Sequence, residues 1–268
     1  MSRNKILLLL SGMAIAFLLP FYFLKSSPFS LQNVTWESPL PVDWSKVNSP
    51  IPEQLLRQPF KLLGEGHQTY AFIGADGQTV LKFVKFGYMN SMTPAERDVR
   101  LKRLFNGYLI GFQKDRENTG LIALHQAEKQ GDPIYVMLDG QSVNVTPLYY
   151  ILQRKITPLK EALNQNKPAA QATLDQILDL YADEYQRGIY DSDHNVLYNT
   201  GFIDGKPVRL DIGRLKILPT DNRNTFIKLD LEKIMTRFRK WIVKSLPEKE
   251  QAALLKHLQE RIDQIASR

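Results

Sequence analysis

Four stretches of the chain carry residue types suited to phosphate chemistry, and they follow the order that such chemistry requires. Gly64-Glu65-Gly66 sets two glycines in a turn between strands, where backbone without side chains lets amide groups approach phosphate oxygens. Lys82 ends the strand-like run Thr79-Val80-Leu81-Lys82 and supplies a neutralising charge. Asp191, Asp193 and Asn199 share one loop, and Asp211 heads the triplet Asp211-Ile212-Gly213. Phosphoryl transfer from a nucleotide needs a glycine loop, a lysine and a carboxylate near the acceptor hydroxyl. It also needs an amide and a second carboxylate for a hard cation such as Mg²⁺. Taken singly, each of these is an ordinary turn former or edge residue; the ordered set is what points to chemistry.

Composition narrows the alternatives. The 268 residues include 35 Lys and Arg against 28 Asp and Glu, a net charge of +7, with an isoelectric point near 9.4. That balance favours acidic partners such as phosphates or anionic lipid. Basic and acidic residues are interspersed, and no helix-turn-helix or zinc-finger pattern occurs, so no nucleic-acid partner is expected. The chain has no cysteine, which excludes disulfides, thiolate metal sites and a cysteine nucleophile. His67, His125, His194 and His257 lie far apart and show no metal-ligand spacing.

The elements that must position the four stretches are readable from periodicity. Phe60–Leu63, Tyr70–Ile73 and Thr79–Val84 predict a β-meander, the last two joined by the hairpin signal Asp76-Gly77. Thr93-Pro94-Ala95-Glu96 predicts a capping box opening a helix to about Glu117, with Leu101, Leu104, Phe105, Tyr108 and Phe112 on one face. Two further strands are expected near Ile134–Leu138 and Thr146–Gln153, joined by Asp139-Gly140. After Pro168, Leu174, Ile177, Leu178, Tyr181, Ala182 and Tyr185 mark an amphipathic helix that stops at Gly188. A loop to Gly201, a hairpin from Phe202 to Leu210 turning at Asp204-Gly205, and helices over about Leu229–Ser245 and through Leu254–Ile265 complete the chain. The expected class is α+β in two lobes: residues 55–155 as a five-stranded antiparallel lobe with one helix, and 156–268 as a reduced helical lobe.

With these segments in place, the sequence resembles the protein-kinase-like superfamily, including its divergent small-molecule kinases. Leu63 to Ala71 is similar to the glycine-rich loop, Thr79–Lys82 to the V-A-I-K strand, Asp191-Ser192-Asp193 on to Asn199 to the H-R-D…N loop, and Asp211-Ile212-Gly213 to D-F-G. The resemblance spans about residues 55–215. It implies ATP and Mg²⁺, with Gly64 and Gly66 over the phosphates, Lys82 paired with them and Val80 against the adenine. It implies Asp193 as catalytic base, Asp191 as the alternative base, and Asn199 and Asp211 as the metal ligands. Tyr150 to Gln153 would form the hinge strand beside the base. Lys85 falls on the opposite face of its strand from Lys82. Thr69 replaces the third glycine, Asp193 is six residues from Asn199, and Glu96 and Asp98 are the acids offered near the start of the helix that should pair with Lys82. No A-P-E motif follows Gly213, and 55 residues remain after it. These departures leave two readings: an active phosphotransferase with an unknown protein or small-molecule acceptor, or a pseudokinase acting as a tethered binding or scaffold module.

The N-terminus points to a membrane. Ile6 to Leu24 is a 19-residue apolar run interrupted by Ser11, Gly12 and Pro20, flanked by Arg3 and Lys5 on one side and Lys25 on the other. As a helix it matches a hydrocarbon core of about 30 Å, and its end, Phe21-Tyr22-Phe23-Leu24, is aromatic like a membrane interface. Residues 1–25 are therefore expected as a single-pass anchor contacting membrane lipid, with a cleaved signal peptide as the alternative. The flanking charge weakly favours the N-terminus inside the cell, which sets the rest of the chain where ATP is scarce. Residues 26–54, with Pro28, Pro39, Pro41, Pro50 and Pro52, read as a Pro/Ser-rich linker.

Overall fold

The computed structural model describes residues 29–38, 40–44, 47, 52–128 and 132–268. It divides into two units, residues 1–33 and 34–268. Of the first, residues 29–33 are described, and helix α1 (Leu31–Val34) begins there. The expected anchor, Ile6–Leu24, lies outside the described residues; among those described, no helix is long and apolar enough to cross a membrane.

The second unit is built on a seven-stranded sheet in the order β4-β7-β3-β2-β1-β5-β6. Its strands are β1 (Pro59–Glu65), β2 (Thr69–Gly74), β3 (Thr79–Val84), β4 (Leu121–His125), β5 (Tyr135–Leu138), β6 (Gln141–Asn144) and β7 (Tyr150–Arg154). The expectation of five antiparallel strands is corrected in two places. Leu121-Ile122-Ala123-Leu124-His125 is a short apolar run after Gly120, and it pairs antiparallel with β7 to become β4. Asp139-Gly140 joins β5 to β6 rather than to β7, and β5 lies parallel to β1. Both turn residues have positive φ (47° and 84°), the geometry a two-residue hairpin needs to match strand twist. The strand expected from Thr146 starts at Tyr150 because Thr146 is spent on a local cap. Its hydroxyl accepts from Ile134 N–H (2.7 Å) and donates to Asp132 O (3.1 Å).

Short helix α2 (Glu53–Leu56) precedes the sheet, and α3 (Pro94–Lys114) crosses from β3 to β4. The capping box of α3 is present as read, with Thr93 Oγ1 accepting from Glu96 N–H and the Glu96 carboxylate accepting from Thr93 N–H at 2.9 Å. Asp115 closes the helix three residues short of the expected end. Trp44, expected within the linker, is buried against Phe105 (ring centroids 4.5 Å apart), and its Nε1 donates to Phe105 O. Trp36 stacks on Phe86 at 5.1 Å. These tryptophans pack on the domain, so part of the proline-rich stretch is structural.

The rest is mostly helical: α4 (Leu159–Gln165), α5 (Ala170–Gln186), α6 (Val196–Asn199), α7 (Arg223–Ser245) and α8 (Glu248–Ala266). Leu174, Ile177, Leu178, Tyr181 and Tyr185 of α5 meet Leu231, Ile234, Met235, Phe238 and Ile242 of α7 and Leu258 and Ile262 of α8 in one core. Helix α7 starts six residues before the expected Leu229 and brings Phe226 and Ile227 onto the core. Among the helices run short ladders: β8 (Thr157–Pro158), β10 (Thr200–Ile203) and β11 (Lys206–Arg209) in one, and β9 (Ile189–Asp191) with β12 (Leu215–Ile217) in the other. The Asp204-Gly205 turn is again a two-residue hairpin with positive φ at both positions.

Helix α3 sits directly on the Asp211-Ile212-Gly213 segment. A Cβ at Gly107 would lie 2.6 Å from the Gly213 backbone, whereas one at Gly64 would meet nothing within 4 Å. Gly107→Ala should therefore lower stability by about 1–3 kcal/mol through overpacking, and Gly64→Ala should leave it essentially unchanged. Thermal melts of the two variants check this contrast.

Candidate active site

A cavity of about 650 Å³ separates the sheet from the helical part, and it is lined by Gly64, Gly66, Val80, Lys82, Asp193, Asn199 and Asp211. These seven site residues expected from the sequence therefore line one space, although Lys82 and Asp211 are 129 residues apart in the chain. Strand β3 is central in the sheet and buried on both faces, which fixes Val80 and Lys82 toward the cavity together. Register pairs Ala71 with Lys82 and Val80 with Gln153, so three strands contribute to one wall.

The glycine loop is held from below. Gly66 N–H donates to Thr69 O (2.8 Å), and Lys85 N–H donates to Gln68 O (2.8 Å). Lys85 Nζ reaches Gly66 O at 3.3 Å and the Glu65 carboxylate at 3.4 Å, and it lies over the Tyr70 ring. Lys85 thus anchors the loop, whereas Lys82 lines the cavity, as does Lys155. Neither Gly64 nor Gly66 has a positive φ, and a Cβ on either would meet no protein atom closer than 3.9 Å. Internal packing does not require these glycines.

Lys82 Nζ donates to Leu210 O (3.3 Å). The acid expected to pair with it from α3 does not do so, because Glu96 is held in the capping box. Burial pushes the Lys82 ammonium down to about 8, with Asp211 pulling the other way. Tyr108 of α3 also lines the cavity, its phenol raised by burial and by the charge of Asp211.

Asp193 lies on the loop after β9, and its carboxylate is 3.4 Å from Arg214 Nη1. Asn199 ends α6, and its Nδ2 makes a long hydrogen bond (3.5 Å) to Asp193 O. Asn199 O accepts from Leu210 N–H (2.7 Å) and Asp211 N–H (3.3 Å), which ties the two candidate metal ligands to each other through backbone. Asp211 Oδ1 accepts from Gly213 N–H (3.1 Å). With the Asn199 nitrogen used this way, its amide oxygen and the outer oxygen of Asp211 form a pair of hard donors that fit Mg²⁺ and not a soft metal. No cluster of three His, Asp or Glu residues suited to a metal occurs among the described residues, so phosphate oxygens and water would have to complete the coordination.

Two assignments change. Asp191, the alternative base, is buried and does not line the cavity. It accepts from Asp193 N–H (2.8 Å) and from Arg209 Nη1 (2.8 Å). Burial pushes its carboxyl up to about 7 against the pull of Arg209. The wall expected from Tyr150–Gln153 is formed instead by Gln153 to Pro158, since Tyr150, Ile151 and Leu152 are buried within the sheet. Gln153 Nε2 bonds to Thr119 O at 2.6 Å and to Leu210 O at 3.4 Å, joining the sheet to the strand end before Asp211.

Sequence reasoning missed Arg209 and Glu184. Both are fully buried and bonded through both guanidinium edges, with Arg209 Nε 2.8 Å from Glu184 Oε1 and Nη2 against Oε2. Glu184 lies three residues after Tyr181 and one before Tyr185, inside the apolar stripe of α5, and that position was the available signal. Asp115, with Arg187 2.7 Å away, joins this group, and burial and the charge of Glu184 push it up to about 7.

The strand order β4-β7-β3-β2-β1, the helix inserted between β3 and β4, and the cavity facing a helical half fit the two-lobed kinase-like arrangement expected from the sequence. Among solved structures, the chain is similar to a 2.2 Å crystal structure of WbdD, at 15% identity and a TM-score of 0.46, covering 78% of this chain and 46% of that one. It is similar to a second structure described as the bifunctional kinase-methyltransferase WbdD, at 14% identity, a TM-score of 0.41, and 75% and 43% coverage. The ROP18 kinase domain in complex with AMP-PNP and sucrose aligns at 15% identity with a TM-score of 0.49, covering 77% and 76%. The chain spans less than half the length of the WbdD chains it matches. No protein-family model matches the chain, and no curated protein matches it.

Two outcomes follow from this geometry. Arg209→Met leaves Glu184 and Asp191 as buried, uncompensated carboxylates and should cost about 3–5 kcal/mol, measured by denaturant titration. An unfolded lysine titrates near 10.4, so between that pH and about 8 the unfolded chain holds a proton that folded Lys82 has lost. Lys82 therefore makes stability rise with pH over that interval. The difference in unfolding free energy between wild type and Lys82→Met should climb across it and be flat below.

Proposed function

We propose that the cavity binds a magnesium–ATP complex and transfers its terminal phosphoryl group to an acceptor hydroxyl. The observation that carries this reading is the convergence of Gly64, Gly66, Lys82, Asp193, Asn199 and Asp211 on one cavity. In this reading the acceptor oxygen forms a bond to phosphorus, the bond from phosphorus to the diphosphate leaving group breaks, and Asp193 takes the hydroxyl proton. Val80 packs against the adenine, the glycine loop lies over the phosphates, and Lys82 faces them. Asn199 and Asp211 would hold Mg²⁺, which neutralises phosphate charge when bound. The acceptor is a protein or small molecule, and residues 6–24 tether the domain to membrane lipid. The tether is supported by the length and flanking charges of that apolar run.

Two observations favour a second reading, a pseudokinase that holds a partner at the membrane. Lys82 bonds a carbonyl rather than an acid from α3, and Asp193 is engaged by Arg214. Thermal shift and radiolabel transfer on the full chain separate the two. ATP with Mg²⁺ should raise the melting temperature, and at a hundredfold excess over Kd the stabilisation is about 2.7 kcal/mol. Asp193→Asn should keep that shift and reduce transfer by about 10²–10⁴-fold, and Asp211→Ala should lose both. A shift without transfer in the wild type selects the pseudokinase; no shift overturns the phosphotransferase reading and leaves only a scaffold.

A further inference from the structure

Beside the cavity lies a group of cations for which the proposed nucleotide site has no use. Arg214, directly after the Asp211-Ile212-Gly213 triplet, and His67, in the glycine loop, both line the cavity. Arg100 of α3 reaches His67 Nε2 at 3.4 Å, and its guanidinium lies 5.6 Å from the centre of the Tyr88 ring. The His67 ring in turn packs on Tyr88 at 4.7 Å. Arg103 is three residues on from Arg100 and shares its helix face. Its Nε is buried without a hydrogen-bond partner, as is the Tyr88 hydroxyl.

We propose that Arg100, Arg103 and Arg214, with His67 and Tyr88, form an anion subsite that holds a phosphate-class group carried by the acceptor. This rests on the phosphoryl-transfer reading and names the acceptor class for it. Three guanidiniums held together repel one another unless a counter-charge is supplied. The carboxylates facing them are Asp193 and Glu96, and Glu96 already accepts from Thr93 in the cap. The Arg103 guanidinium is pulled down by burial first and then by the charges of Arg214 and Arg100, which fits a site short of one anion. A dianion here also competes for Arg214. Drawing Arg214 off Asp193 releases the carboxylate that is to take the acceptor's proton, so an acceptor with the right charge readies its own base.

Calorimetric titration of the full chain at low salt tests this, with inorganic phosphate as the probe. Arg100 and Arg103 lie partly exposed on α3, so the double variant Arg100→Gln/Arg103→Gln should fold, which circular dichroism verifies. It should weaken phosphate binding at least tenfold, with Arg103→Lys losing less, while Lys82→Met changes it less than twofold. The reverse pattern, with phosphate lost in Lys82→Met and kept in the arginine double, places the ion at the triphosphate site and overturns the proposal. Equal phosphate binding in wild type and the arginine double overturns it as well. Dioctanoyl phosphatidic acid bound more tightly than phosphate in an arginine-dependent way supports a lipid acceptor, and equal affinity supports a soluble one. A parallel ATP titration reports on the nucleotide site alone. Should it show no binding while arginine-dependent phosphate binding persists, the phosphoryl-transfer reading falls and the anion site stands.

Discussion

The buried guanidinium of Arg209 is the interaction on which the cavity's geometry depends. It joins three pieces of chain: Glu184 on α5, Asp191 at the end of β9, and its own strand β11, which leads within two residues to Asp211. Asp191 then accepts from the Asp193 backbone. Asp193 and Asp211, two of the carboxylates that line the cavity from the helical side, are thus each two residues from a member of one ion group. An ion group out of water is costly to assemble and loses more when one member is removed, and that all-or-none character makes it suited to fixing position. The Tyr181 ring lies 4.6 Å under the guanidinium and closes the remaining face.

The upper wall depends on strand order. Because β3 lies between β2 and β7, Lys82 and Val80 have neighbours on both sides and little freedom. The loop above them has the opposite character. Its glycines touch little, and its hold on the sheet comes through Lys85. A rigid lysine strand under a lightly held glycine loop allows a ligand to be admitted and then covered.

Much of this was legible in the amino-acid order, and the reasons are physical. Lys82, Asp193, Asn199 and Asp211 are legible as a set, because their order along the chain is the order that phosphoryl transfer requires. The capping box at Thr93 and the hairpin at Asp204-Gly205 are local, and local rules suffice for them. What was not legible was long-range. Arg209, Glu184 and Asp191 are 18 to 25 residues apart in their bonded pairs, and apart from the place of Glu184 within an apolar stripe nothing local distinguishes them from surface charges. Strand β4 was missed since four apolar residues and a histidine after a glycine carry no alternation. The parallel pairing of β1 with β5 is a tertiary choice that periodicity does not encode. The wall at Gln153 to Pro158 was placed three residues early because strand length, not chemistry, decides where β7 leaves the sheet.

The seat of α3 on the Asp211-Ile212-Gly213 segment has a mechanical consequence. Between Gly107 and Gly213 the contact is main chain on main chain, and Leu104 fits so closely that a Cβ at Gly213 would lie 2.6 Å from its Cδ1. Side chains between two elements act as springs, since rotamers absorb small displacements before the backbone must respond. Here there is no spring. A shift of the helix is passed undamped to the carboxylate of Asp211, so the helix can act as a lever on the very oxygens that face the cavity.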